Sequence, residues 1–187
     1  MNPSEPRDGW QASGVQLAGL LKRVRAQGLE EAVLEKCSPA TRAAFQNPYA
    51  TTWHAGPLLA EFSMALVRSS STAMFEQLNY EMARDSFGPI VGSLMQVAMA
   101  VFGRSPATLL SKLGQAAGQG LRGVPMVWTA QGDRGGELKI TYPGGIEKEV
   151  EFAWRGVLRF LGELAKTPIT VKRVDIDGGE FEFQLEW

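Results

Sequence analysis

The chain has 187 residues, 44% of them apolar and 21% charged, a composition that suits one globular domain with a core of ordinary size. Nineteen Lys and Arg face twenty Asp and Glu, so a net charge of -1 supplies no broad field for phosphate backbones or anionic lipid, and nucleic acid is not expected as a partner. A single cysteine, Cys37, can form no internal disulfide and is too few for a cysteine zinc site, which fits a reducing, cytoplasmic setting; no signal segment and no membrane span are expected.

Residues 1 to 13 carry Pro3, Pro6, Gly9 and several polar groups around one large apolar side chain, Trp10, and are read as a loose N-terminal arm before a single domain over 14 to 187. Val15, Leu17, Leu20, Leu21 and Val24 recur at helical intervals up to Gly28. A short second helix is expected over Leu29 to Lys36, with Glu30 and Glu31 at its positive end, and a further turn over Ala40 to Phe45. Thr52 is the expected N-cap of a helix carrying Trp53, Leu58, Leu59, Phe62, Ala65 and Leu66, which places His54 in its first turn. Beyond Ser69, Ser70 and Ser71, a helix is expected on Met74, Phe75, Leu78, Met82 and Ala83. Phe87 to Phe102 predicts a helix apolar on most sides and central to the packing. Ser105 and Pro106 start another helix with Leu109, Leu110 and Leu113 inward.

After Gly123 the period changes from helical to alternating. Met126 to Ala130 and Glu137 to Tyr142 predict a hairpin. Val150, Ala153, Trp154, Val157, Leu158, Leu161, Leu164 and Ala165 follow one helix face, expected to lie on the sheet against Phe181, Phe183 and Leu185. Ile169 to Asp177 and Glu180 to Trp187 predict a second hairpin with a bulge near Lys172 and Arg173, and with an acidic wet face. The fold class is therefore α+β: an N-terminal bundle of about five helices followed by a β-β-α-β-β unit that forms a four-stranded, mainly antiparallel sheet.

Residues with chemical potential are few. His54 is the one imidazole, and no Gly-x-Ser-x-Gly frame surrounds a serine partner; its best functional use is as a lone axial haem ligand. Cys37 follows the negative end of a helix, where nothing activates a thiol. Gly118, Gly120 and Gly123 spell G-x-G-x-x-G, but in helix-to-strand order, the reverse of a dinucleotide site. The carboxylates Glu147, Glu149, Glu151, Glu180, Glu182 and Glu186 read as wet faces. No catalytic residue, metal ligand set or cofactor is expected, and the chain reads as a non-enzyme. The remaining signal is apolar: Met95, Met99, Phe102, Trp128 and Trp154 are the candidates to line a pocket between helices and sheet, and Phe152, Gly156 and Phe160 form a second row that either meets another layer or makes a subunit contact.

The run Tyr80-Glu-Met-Ala-Arg-Asp-Ser-Phe87, the start Ser105-Pro106-Ala-Thr-Leu-Leu110, and the ending from Trp154 through Gly178-Gly179 to Phe183-Gln-Leu-Glu-Trp187 resemble a myxobacterial paralogous family of unknown function over residues 14 to 187. That family is similar to the ligand-binding fold of haem-NO-binding domains, vinyl-reductase-type sensor domains and TRAPP subunits. The resemblance implies a binding role with no reaction attached. Haem-NO-binding domains carry a Tyr-x-Ser-x-Arg run that grips the propionates; here Tyr142-Pro-Gly-Gly lacks both serine and arginine, and no cysteine cluster follows residue 37. The expected function is thus a cytoplasmic sensory or adaptor module that binds an apolar small molecule or a partner protein. The alternatives are a pure interaction scaffold acting as a homodimer, or a haem-binding gas sensor using His54.

Overall fold

The computed structural model describes residues 9–46, 48–49, 51–86, 103 and 105–187. Chain order begins with β1 (Gln11–Ser13), α1 (Gly14–Ala26), α2 (Glu30–Leu34), α3 (Pro39–Gln46), β2 (Trp53–Ala55), α4 (Gly56–Ser69) and α5 (Thr72–Ser86). It continues with α6 (Pro106–Ala117), β3 (Leu121–Arg122), β4 (Met126–Ala130), β5 (Gly135–Thr141), α7 (Val150–Ala165), β6 (Thr170–Asp177) and β7 (Glu180–Glu186). The helix expected over Phe87 to Phe102 lies outside the described residues.

Two starts follow simple capping chemistry. The Ser13 hydroxyl accepts the Gln16 N–H at the head of α1, and Ser105 does the same for Thr108 at the head of α6, with Pro106 in the first turn where it needs no donor.

The larger sheet runs β4-β5-β7-β6 with every pairing antiparallel. Its register sets Met126 and Trp128 beside Ile140 and Leu138, and these in turn beside Phe181 and Phe183. One face is therefore apolar, with Leu138, Ile140, Phe181 and Phe183 fully buried. The opposite face carries Lys139 between Glu180 and Glu182, and Gln184 donates to Glu137. The expected bulge is present: the β6–β7 register shifts between Val171 and Arg173.

The N-terminal region departs from the sequence reading. Trp53 and His54 do not open a helix. They form β2, which pairs antiparallel with β1, and β1 pairs on its other side with β3 in a small β2-β1-β3 sheet. From Trp10 onward the residues expected to be a loose arm are packed, with Trp10 only 5% exposed. Three-residue strands leave almost no periodic trace, and their pairing is decided by the distant partner. Backbone bonds tie this sheet down: Ser13 N–H to Gly120 carbonyl at 2.8 Å, Gly14 N–H to Thr52 carbonyl at 2.8 Å and Gly56 N–H to Trp10 carbonyl at 2.9 Å. The Trp10 indole lies against Gly56, where a β-carbon would run into the ring. Glycine at the head of α4 is what admits the indole.

Helix α7 is held on one flank by α5. A β-carbon on Gly156 would collide with the Glu76 carbonyl oxygen and come within 2.8 Å of the Tyr80 nitrogen, so the two backbones approach with no room for a side chain at this position. Phe160 lies edge-on to Tyr80 at 6.5 Å, and Phe152 is half-buried beneath Arg155. Gly156 and Phe160 of the row Phe152, Gly156 and Phe160 thus have α5 of the same chain beside them.

Candidate functional site

Four helices and the β3 segment converge on one cleft. Its outer lobe, about 290 Å³, lies between α1 (Val15, Gln16), α5 (Asn79, Met82, Ala83), α6 (Leu113, Ala116, Ala117), Leu121 and α7 (Trp154, Val157). An inner lobe of about 70 Å³ continues toward Trp10, Phe75, Tyr142 and Ile146. Gln16, Asn79, Met82, Leu121, Trp154 and Val157 line both lobes. Val15, 56% exposed, and the exposed Gln119 stand at the mouth.

The back wall is an aromatic cluster hinged on Tyr142. Its ring meets Trp10 edge-on at 4.9 Å and Phe181 at 6.0 Å, and its hydroxyl oxygen accepts the Trp154 Nε1–H at 3.0 Å. Burial pushes the Tyr142 phenol well above its ordinary value, the bond from Trp154 being a weaker opposing effect, so the group stays neutral. No other titratable side chain lines the described cleft, and none of its lining residues is ionised.

Three larger surface depressions, of 540 to 590 Å³, are lined instead by charged groups, several of them paired with one another. Lys172 pairs with Glu186 in one, Arg25 with Glu30 in another, and in the third Glu61 is taken up by Ser38 and Thr41. The bonds from Thr41 above all, then those from Ser38, hold the Glu61 carboxyl below its usual range. Nearby Cys37 is buried, and desolvation with the Glu61 charge pushes its thiol up to about 11. It is a structural thiol.

Of the residues singled out as pocket candidates, Trp154 lines both lobes. Trp128 is not in the cleft: it sits on edge strand β4 against Trp187, ring centres 5.7 Å apart. Met95, Met99 and Phe102 lie outside the described residues. His54 is in β2 and lines neither lobe; its Nε2 is buried without a hydrogen-bond partner among the described residues. Sequence reading passed over Asn79 and Gln16. Asn79 had a signal: it interrupts the apolar stripe Phe75, Leu78, Met82, Ala83 of α5, and a polar residue inside such a stripe is either bonded within the core or faces a cavity. Gln16 carries no comparable mark.

Comparison with solved structures shows the architecture. The chain is similar to the Fe(II) unliganded H-NOX protein from K. algicida, with a TM-score of 0.64, 12% identity and coverage of 93% of this chain and 95% of that one. It is similar to an H-NOX protein from S. oneidensis in the Fe(II)NO state, with a TM-score of 0.61, 13% identity and coverage of 93% and 98%. It is also similar to an oxygen-binding H-NOX domain related to soluble guanylate cyclases, with a TM-score of 0.58, 8% identity and 92% coverage of each chain. The fold is thus the α+β architecture of haem NO/oxygen-binding domains. No family model and no curated protein matches the sequence, and the likeness to a myxobacterial paralogous family finds no support in these comparisons.

Haem would need an axial donor and cationic partners for its propionates. The described lining offers neither imidazole, thiolate nor any Lys or Arg; Met82 is its one soft donor. By sequence, residues 87–102 and 104 contain no His, Cys or Lys; they hold the thioethers Met95 and Met99 and one base, Arg104. The described residues of this cleft do not fit haem.

Proposed function

We propose that the chain is a non-catalytic sensory module that admits a small uncharged molecule to the cleft between α1, α5, α6 and α7. Among the sequence-derived readings, the haem gas sensor is the one toward which the structural neighbours lean, since those proteins are described with iron, NO or oxygen. Two features of this chain turn the ligand away from haem: His54 stands outside the cleft, and the described lining has no charge to hold a propionate.

The observation that carries the proposal is a lining that, among the described residues, is free of charge and shared by elements far apart in sequence. Gln16 comes from the first helix and Trp154 from the last, so an occupant would touch both ends of the chain at once. A ligand that contacts both stabilises their mutual packing by its binding free energy, which is how a binding event becomes a change another protein can read. No reaction is assigned, because the only titratable group among the described lining residues is a phenol kept neutral by burial.

Native mass spectrometry of the purified full chain tests this. A retained low-mass species released on denaturation supports the reading, and bare chain from every preparation counts against it. Addition of equimolar hemin separates the haem alternative: no sharp Soret band is expected, a stoichiometric band that persists in His54→Ala would return the cleft to haem, and one that disappears would place haem at His54, outside the cleft.

A further inference from the structure

The polar groups of the cleft specify what kind of molecule enters it, an inference that rests on the sensory reading above. Asn79 is 7% exposed and donates from Nδ2 to the Phe75 carbonyl at 2.8 Å. A carbonyl only accepts, so the amide has one orientation: Nδ2 toward α5's own backbone, Oδ1 away from it. No described residue donates to that oxygen. Gln16 reaches the same two lobes from α1, and its side-chain amide also has no hydrogen bond to a described residue. Its Oε1 lies close enough to Gly120 that a β-carbon there would be 3.0 Å away. Around these two amides the walls are Met82, Leu121, Trp154 and Val157.

An amide oxygen that opens into the cleft and has no donor among the described residues is satisfied by whatever fills the cleft, and a ligand that displaces water there must supply a proton of its own or lose that bond. We infer that the cleft takes a planar, uncharged molecule bearing an O–H or N–H group, a phenol, an alcohol or an N–H heterocycle, whose proton is accepted by Asn79 Oδ1. Gln16, with a donor and an acceptor, takes up a second polar atom. Trp154 and Met82 supply faces suited to an aromatic ring. Carboxylates and phosphates are rejected, because their desolvation has no cation in the described lining to offset it.

The test uses three probes of one shape, titrated calorimetrically into the whole chain at neutral pH: 1-naphthol, naphthalene and 1-naphthoate. The phenol is expected to bind one per chain and about tenfold or more tighter than the hydrocarbon, since a site built to accept a proton penalises an analogue without one. The carboxylate is expected not to bind. In Asn79→Leu, with helix content unchanged by circular dichroism, the two neutral probes should come within about twofold of each other. Equal binding of naphthol and naphthalene by the wild-type chain overturns the donor inference while the cleft reading survives. Tightest binding by naphthoate overturns the uncharged class. Failure of all three to bind overturns the cleft reading along with it. The wild-type comparison stands even if the variant does not fold.

Discussion

Trp154 occupies a position where burial and hydrogen bonding coincide, and the two contributions can be separated by substitution. Trp154→Ala removes a 5%-exposed indole and is expected to cost about 3–5 kcal/mol, read from the urea unfolding midpoint. Trp154→Phe keeps most of the ring but leaves the Tyr142 hydroxyl without its 3.0 Å donor, and about 1–3 kcal/mol is expected. Cys37 makes the opposite kind of prediction. Its folded thiol titrates at about 11 against an ordinary 9.0, so the native chain holds that proton more tightly than the unfolded chain does. Its contribution to stability is complete below pH 9 and is lost as pH rises toward 11. A steeper alkaline loss of stability in the wild type than in Cys37→Ala is the expected result, together with slow alkylation of the native thiol by iodoacetamide at pH 8.

Between elements, the α5–α7 crossing is the tightest constraint. Gly156→Ala places a methyl group against the α5 backbone, which cannot rotate out of the way as a side chain can, and is expected to destabilise by about 1–3 kcal/mol. Gly19→Ala in α1 is the informative contrast. There the new β-carbon would sit 3.5 Å from Met82 Sδ, an ordinary contact, and the gain in helix propensity is expected to stabilise by about 0.4–1 kcal/mol. Thermal unfolding of the two variants should therefore move in opposite directions. The crossing is reinforced outside by Arg159, stacked 4.1 Å over the Tyr80 ring, and by the hydrogen bond from Tyr80 to Glu163.

At the scale of the molecule, α5 is shared: its Gly156-facing side packs on α7, and its Asn79–Met82 side lines the cleft. Occupancy of the cleft is thus expected to be felt by both ends of the chain. With 1-naphthol at about one hundred times its Kd, a gain of about 2.7 kcal/mol in unfolding free energy is expected. Hydrogen exchange should slow in α1 and α7 together; protection confined to one of them would argue that the ligand sits elsewhere. Among the described residues no helix is long and apolar enough to cross a membrane.

Elements with long, regular patterns were legible in the residues alone. The eight apolar positions from Val150 to Ala165 give α7, the alternation Phe181, Phe183, Leu185 gives the buried face of β7, and the parity break at Lys172 gives the bulge, because each is dictated by local periodicity against one buried face. Tertiary structure alone decided the rest. Whether Trp53 and His54 wind into a helix or pair with Ala12 and Ser13 depends on a partner forty residues away, and three residues are too few to record a period. The cleft depends likewise on where α1, α5, α6 and α7 stop short of one another. A filled core and a lined cavity use the same side chains, and only the distances between helices distinguish them.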